Sequence, residues 1–407
     1  MTTTAPWAAD ALDSFLSRNA TRMAASHWVQ PSDNNPIEFT GGVPDPDTLP
    51  VEALMEAART VLTREPVPAL EYGGSQGFLR LRELIAERVV HEEGLGPENF
   101  ALTGGGYPAL HTICDTFLDP GDVVLADAPA WGGFIRLAKA VGAETVGVPL
   151  DDEGPVIAAA EEALARARAE GKRAKLIYTI PTFQNPMGTT FSVERRNQLI
   201  ELAARNKVLI IEDDPYGDLR FTGARVPSVF SLAGGEGVIK AGTFSKIIAT
   251  GLRAGWIEAK KEYVDATLRL RFDNGTSPFV LRTIAAYIEQ GTLEPHIEKM
   301  CRVYASKCDA MLSALAESCA GLATWTQPEG GFFIWLTFDE DIPLADVMRL
   351  CDEERVAVVP GTSFYADGGG RNNLRLAFSN VAEDQITEGI KRLARALQRA
   401  QGAGSRQ

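Results

Sequence analysis

Across the middle of this 407-residue chain, short apolar runs alternate with helix-patterned stretches. The runs are VVLAD (123–127), ETVGVPL (144–150), KLIYTI (175–180), VLIIED ending on Asp213, and GVIKAG reading through Val238–Ala241. Short buried strands separated by helices predict a parallel sheet built from βαβ units. From about residue 260 the pattern changes. Helices are predicted over 261–271, 278–290 and 292–319, then a strand in GGFFIWLTF (330–338) and a helix near 343–354. The strand NLRLAF (373–378) and a charged helix over 382–400 follow. The first fifty residues read as a polar arm closing on the turn-rich GGVPDPDTLP. The expected division is therefore 1–50 as arm and small-domain segment, 51–290 as a large α/β domain, and 291–407 as a smaller C-terminal α+β domain. The arm is expected to pack on the small domain or on a neighbouring subunit, and the tail QGAGSRQ to fray.

Composition narrows the function classes. A chain that is 45% hydrophobic and 23% charged can bury a sizeable core. A net charge of −14 argues against a nucleic-acid partner, because phosphate backbones want a basic face. No run of about 18 apolar residues occurs and the start, MTTTAPWAADALDSF, has no apolar h-region, so no membrane partner is expected. The five cysteines show no CxxC spacing and the three in one helical stretch, Cys301, Cys308 and Cys319, read as small core residues, while four histidines without HExxH give no support to a metal. The expectation is a soluble, reduced, cytoplasmic protein.

Open α/β sheets bind ligands outside the carboxyl ends of their strands. Polar residues just after each apolar run are therefore the candidates. In AGTFSKIIATGLRAGW (241–256), Lys246 sits among small, hydroxyl and apolar residues with no acid in the motif. An isolated lysine is ordinarily solvated, but one held this way can lose its proton, as Schiff-base chemistry requires. Thr243, Ser245 and Arg253 add the donors that a phosphate wants. In VLIIEDDPYGDLRF, Asp213 either caps a turn or pairs with a protonated pyridine nitrogen and keeps that ring an electron sink. Tyr216 follows within reach of the same ring's 3-oxygen. Asn185, bracketed by prolines in YTIPTFQNPMG (178–188), is a common turn residue or a rigid amide aimed at that oxygen.

Three glycines in LTGGGYPAL (102–110) open a predicted helix running to about 117, a ready phosphate site. The same stretch, Gly104-x-Gly106-x-x-Ala109, fits a dinucleotide fingerprint, with Asp127 near the place of a ribose-binding acid. A lone glycine match is weak, and that reading leaves Lys246, Asp213, Asn185 and Arg253 without a role. Arg375, mid-strand in RNNLRLAFSN (371–380), is paired structurally or waits for an anion such as an α-carboxylate.

Taken together, TFSKxxxxGLRxGW, EDDPYGDLRF, FQNPxG and GGxPDPxxLP resemble the fold-type I enzymes of pyridoxal 5′-phosphate (PLP), class I/II aminotransferase family. The resemblance runs over roughly 38–395 and is nearest to the 2-aminoadipate and kynurenine aminotransferase branch. It implies a large domain with a mostly parallel sheet, a smaller α+β domain, and PLP as cofactor. It implies Lys246 as Schiff-base lysine and proton shuttle, Asp213 at the pyridine nitrogen, and Tyr216 and Asn185 at the 3-oxygen. Thr243, Ser245, Arg253 and the backbone of Gly105, Gly106 and Tyr107 would hold the phosphate. Trp131, in DAPAW, would stack on the ring, and Tyr72, in EYGGSQG, would reach the phosphate of the other subunit of a homodimer. Arg375, with Gly42 and Asn185 nearby, would bind the substrate α-carboxylate.

The sequence departs from that family in three places. Gly106-Tyr107 replaces a Ser-Gln-like pair, and Trp131 replaces a tyrosine. Val29, in Ser26-His27-Trp28-Val29, stands where an arginine meets the distal acid of a dicarboxylate. A distal carboxylate against Trp28, Val29 and Val43 would lack a partner unless Arg18 or Arg22 of the arm supplied one. The expected reaction moves an amino group between an α-amino acid and a 2-oxo acid, with an apolar, aromatic or unusual substrate favoured. Alternatives are another PLP reaction (lyase, decarboxylase, oxidase or carbon–carbon bond formation), a regulatory PLP-binding domain without its basic helix-turn-helix, and a dinucleotide dehydrogenase.

Overall fold

The computed structural model describes residues 14–23, 35–272 and 274–404. Its centre is an eight-stranded sheet, in the order Phe100–Thr103, Gly255–Glu258, Val238–Thr243, Leu209–Asp214, Ala174–Thr179, Val123–Ala128, Glu144–Asp151, Gly154–Pro155. The five strands from Val238–Thr243 to Glu144–Asp151 are mutually parallel. They coincide with the five apolar runs. Gly255–Glu258 runs against both of its neighbours. Three strands of this sheet, Phe100–Thr103, Gly255–Glu258 and Gly154–Pro155, were not anticipated. The first two have four residues each and adjoin a glycine-rich motif, so composition there reads as turn, and the third has only two residues.

Four of the parallel strands, all but the half-exposed Glu144–Asp151, are buried on both faces, which is why they read as continuous apolar runs. Val124, Tyr178, Ile211 and Ile239 pack against Leu110 and Ile113 of helix Gly106–Phe117 and Phe134 and Leu137 of helix Gly132–Val141. The opposite face, with Leu125, Ile177 and Ile210, packs on helices Ile157–Ala169 and Val193–Asn206. Ser192 caps the last of these by accepting from Arg195 N at 3.1 Å, a bond that contributes about 1 kcal/mol. Every helix therefore has one face fixed, and the carboxyl ends of the strands are left open to one side.

The C-terminal part holds a four-stranded sheet in the order Ala323–Trp325, Phe333–Phe338, Asn373–Ala377, Val359–Pro360, all antiparallel. Helices Leu293–Ser318, Leu344–Glu353 and Glu383–Gly404 accompany it. The predicted helix over 261–271 ends earlier, spanning Lys261–Leu268. Beyond it the chain turns so that Arg271 donates to Leu102 O at 2.9 Å.

The N-terminal stretch divides between two places. Ile37–Glu38 pairs parallel with Val356–Ala357, and Phe39 O accepts from Ala377 N at 2.9 Å. These bonds tie residues 37–39 to the C-terminal sheet and carry Thr40 and Gly42 to the open ends of the large sheet. Helix Arg18–Thr21 instead lies by helix Gly132–Val141, with the Arg22 guanidinium against Gly142, where no Cβ obstructs it. Trp28 and Val29 lie outside the described residues.

Candidate active site

The strand ends converge on a cavity of about 320 Å³. Of the residues that the resemblance assigns to the cofactor or the α-carboxylate, all but Gly105 and Tyr72 line it. Tyr72 is 90% exposed and lines a separate recess with Leu70, Asn274 and Phe279.

The wall built by the large sheet is rich in engaged polar groups. Lys246 follows strand Val238–Thr243 and its Nζ donates to Gly42 O at 2.7 Å. Burial, helped by the nearby Arg253 and Arg375 charges and opposed by Asp213, brings its amine down to about 8. A substantial neutral fraction then exists near neutral pH, which a lysine nucleophile requires. Asp213 is buried near the end of strand Leu209–Asp214, and its Oδ2 accepts from the Tyr178 hydroxyl at 2.7 Å. Burial pushes the carboxyl up to about 7, against the Tyr178 bond and the Lys246 charge. A hydrogen-bonded cation in the cavity would oppose that rise and favour the ionised carboxylate.

Beside these groups lies an anion cradle. Thr243 Oγ1 donates to Ser245 Oγ at 2.9 Å and accepts from Ser245 N at 3.1 Å. Helix Gly106–Phe117 starts here with no side-chain cap, so its first N–H groups are free to bind a ligand. Gly105, at φ +118°, is its N-cap, and a Cβ built there would lie 3.0 Å from Arg253 Nη2. Only glycine suits both that backbone and that contact. Tyr107 meets Trp131 edge-on, ring centroids 6.1 Å apart at 87°.

The opposite wall comes from Thr40–Gly42 and the four-stranded sheet. Arg375, opposite Trp335 in the register, is buried. Its Nη1 donates to Asn185 Oδ1 at 3.1 Å and its Nη2 to Thr40 O at 2.7 Å. Among the described residues, Nε has no partner. The guanidinium stacks on Phe333 at 4.3 Å and Phe364 at 5.1 Å. Burial lowers it to about 10, so it stays a cation at neutral pH. Gly42 passes so close to Phe333 that a Cβ there would sit 2.5 Å from Cζ. Tyr216 packs edge-on against Phe332 and Phe333 and hydrogen-bonds Asn185, and burial raises its phenol.

Asp127 has a different task from the ribose contact weighed above. It is buried, and its Oδ2 accepts from Ile180 N and Thr179 Oγ1, both at 3.2 Å, and from Gln184 Nε2 at 3.4 Å. Gln184 also donates to Pro129 O at 2.8 Å. The carboxylate thus pins the loop that carries Asn185, and it does not line the cavity.

Sequence reading missed Tyr178, Phe333, Gln184 and this role of Asp127. For Tyr178 the signal lies in the strand register and not in the sequence. The residue pairs with Ile211 in the parallel register, two residues before Asp213 and so on the same face. Phe333 had none, since GGFFIWLTF reads as a core strand.

A ligand suited to this cavity carries an aldehyde for Lys246, a basic ring nitrogen for Asp213, and a phosphate for the uncapped helix, Thr243, Ser245 and Arg253. The open glycine cradle and the donor set fit pyridoxal 5′-phosphate, and the unpartnered Arg375 Nε suits a substrate carboxylate beside it. The aminotransferase class I and II family model matches residues 35–393, and the chain belongs to that family. It is similar to aromatic-amino-acid aminotransferase 1 of Thermococcus litoralis, 38% identical over 95% of this chain and 94% of that protein. It is also similar to the 2-aminoadipate transaminase of Thermus thermophilus, 35% identical over 89% of this chain and 90% of that protein. Among solved structures, the Thermus thermophilus α-aminoadipate aminotransferase complexed with N-(5′-phosphopyridoxyl)-L-leucine superposes with a TM-score of 0.88. It shares 33% identity over 96% of this chain and 99% of that one. The protein is a PLP-dependent aminotransferase.

Proposed function

We propose that the two walls divide the work, the large sheet holding the cofactor and the opposite wall the amino acid. Bound there, the cofactor supplies an electron sink for charge developing at the substrate α-carbon. Lys246 would provide the amine that holds the cofactor and would move the proton at the substrate α-carbon. Gly42 O orients that amine. Asp213 would hold a negative charge for the ring nitrogen, and Asn185 and Tyr216 would bind the 3-oxygen. Thr243, Ser245, Arg253 and the backbone at Gly105, Gly106 and Tyr107 would bind the phosphate, and Trp131 would pack on the ring. Arg375 receives the α-carboxylate through Nε and its two Nη groups.

The amino acid is apolar or aromatic in preference to dicarboxylic. The observation that carries this is the set of cations that line the cavity among the described residues, which are Lys246, Arg253 and Arg375. Each has a role above, and the rest of the wall includes Tyr107, Leu110, Trp131, Ile180 and Phe333. Arg22, a candidate replacement, bonds Asn19 Oδ1 at 2.9 Å and packs on Gly142. Burying an unpaired carboxylate costs several kcal/mol, and about 1.4 kcal/mol is tenfold in specificity. The test is kcat/KM for phenylalanine or kynurenine against glutamate or 2-aminoadipate. An advantage of tenfold or more for the aromatic pair is expected, and the reverse order would overturn the substrate reading while leaving the transamination intact.

The working unit in this reading is a cytoplasmic homodimer. Met55, Val67, Leu70 and Phe272 are exposed apolar side chains, as is Tyr72. A second copy covering them would bring Tyr72 to its partner's phosphate. The five free cysteines fit a reducing compartment. Sedimentation should show a dimer, and Tyr72→Phe should loosen PLP. An active monomer with full PLP occupancy contradicts the shared site.

A further inference from the structure

Tyr178 has no part in the roles assigned so far, yet it touches the most consequential carboxylate in the cavity. Its side chain is fully buried in strand Ala174–Thr179. The ring stacks face to face on Phe134, centroids 3.6 Å apart and planes within 3°. That stack fixes the direction of the hydroxyl, which donates to Asp213 Oδ2 at 2.7 Å. Burial and the neighbouring Asp213 hold the phenol well above its ordinary value, so it remains protonated and available as a donor. The titratable groups around Asp213 are Tyr178 from one neighbouring strand, Lys246 from beyond the other, and Asp214 and Tyr216 from its own segment. Asp214 raises the carboxyl, and Lys246 and Tyr178 oppose that rise.

We propose that Tyr178 is a positioning residue that fixes where the proton shared between Asp213 and the ring nitrogen resides. By donating to Oδ2 it presents Oδ1 to the ring and stabilises the carboxylate as an anion, so the proton stays on nitrogen and the electron sink stays strong. A hydrogen bond to a charged acceptor is worth roughly tenfold to a hundredfold in such an equilibrium. The inference rests on the reading of Asp213 as partner of the ring nitrogen.

The test loads the holoenzyme with PLP labelled with ¹⁵N in the ring and reads the nitrogen chemical shift, which reports where the proton sits. Tyr178→Phe keeps the stacked ring and removes only the donor. Its signal should move towards the unprotonated position, and kcat should fall about tenfold to a hundredfold with KM within a few-fold. Tyr178→His, which restores a ring N–H donor, should recover part of both changes. Asp213→Asn separates the two readings. If that variant keeps the wild-type nitrogen signal, the reading of Asp213 fails, and this inference with it. If Asp213→Asn shifts the signal and Tyr178→Phe does not, only the role of Tyr178 is overturned. A Tyr178→Phe protein that cannot fold or hold PLP also overturns it, because the hydroxyl would then serve the core and not the carboxylate.

Discussion

On the large-sheet wall of the cavity, Asp213, Thr243, Ser245 and Lys246 hang from the ends of two adjacent parallel strands and bond to nearby groups. On the opposite wall, Arg375 meets Thr40 across 335 positions of sequence, and its Nε is left without a partner among the described residues. The first wall is preorganised by strand register, and its polar groups constrain one another. The second is assembled from distant segments around aromatic faces and keeps one donor in reserve. This contrast suits a cofactor that stays through many turnovers and a substrate that must enter and leave each time.

Disabling the first wall at its centre gives the largest expected effect. In the proposed reading Lys246→Ala removes both the attachment point and the proton carrier, so turnover should fall by at least about 10⁴-fold. Measured release of 2-oxo acid within a hundredfold of wild type would show that another group moves the proton. A smaller effect sharpens the electrostatic side of the contrast. The rate at which apoprotein captures PLP should follow the neutral amine of Lys246, whose folded value is lowered to about 8. Raising the pH increases that fraction, so capture should speed up about fivefold between pH 7 and pH 8 and level off above about 9. A rate still climbing nearly tenfold between pH 8 and pH 9 would mean that Lys246 behaves as a solvated lysine.

Much of the first wall was legible in the sequence because its chemistry is local. A strand, a tight loop and a lysine lie within a few residues, and parallel-sheet geometry places them at the carboxyl edge. Arg375 was legible for another reason, since a cation amid an apolar strand needs an anion. Phe333 became meaningful only when the fold set it against Gly42 and Arg375, residues far apart in sequence. Tyr178 was hidden because a buried tyrosine in an apolar run reads as core, and only the strand register shows its hydroxyl reaching Asp213. The strands Phe100–Thr103 and Gly255–Glu258 escaped notice because glycine beside them signals turns more strongly than four residues signal a strand. The glycine fingerprint at 104–109 could not by itself choose a ligand, since a glycine-opened helix offers the same backbone donors to any phosphate.

The division between the walls is tested most directly by measuring PLP affinity and substrate KM side by side in Arg253→Ala and Arg375→Ala. Dialysis gives the first quantity, and initial rates at saturating PLP give the second. Loss of a charged hydrogen-bonding partner should cost roughly tenfold or more in whichever step it serves. Arg253→Ala should therefore weaken PLP about tenfold or more and leave KM within a few-fold. Arg375→Ala should retain PLP and raise KM for the amino acid by a similar factor or more. If both variants lose PLP and substrate alike, or if the two effects are exchanged, the cavity does not divide its work between the two walls.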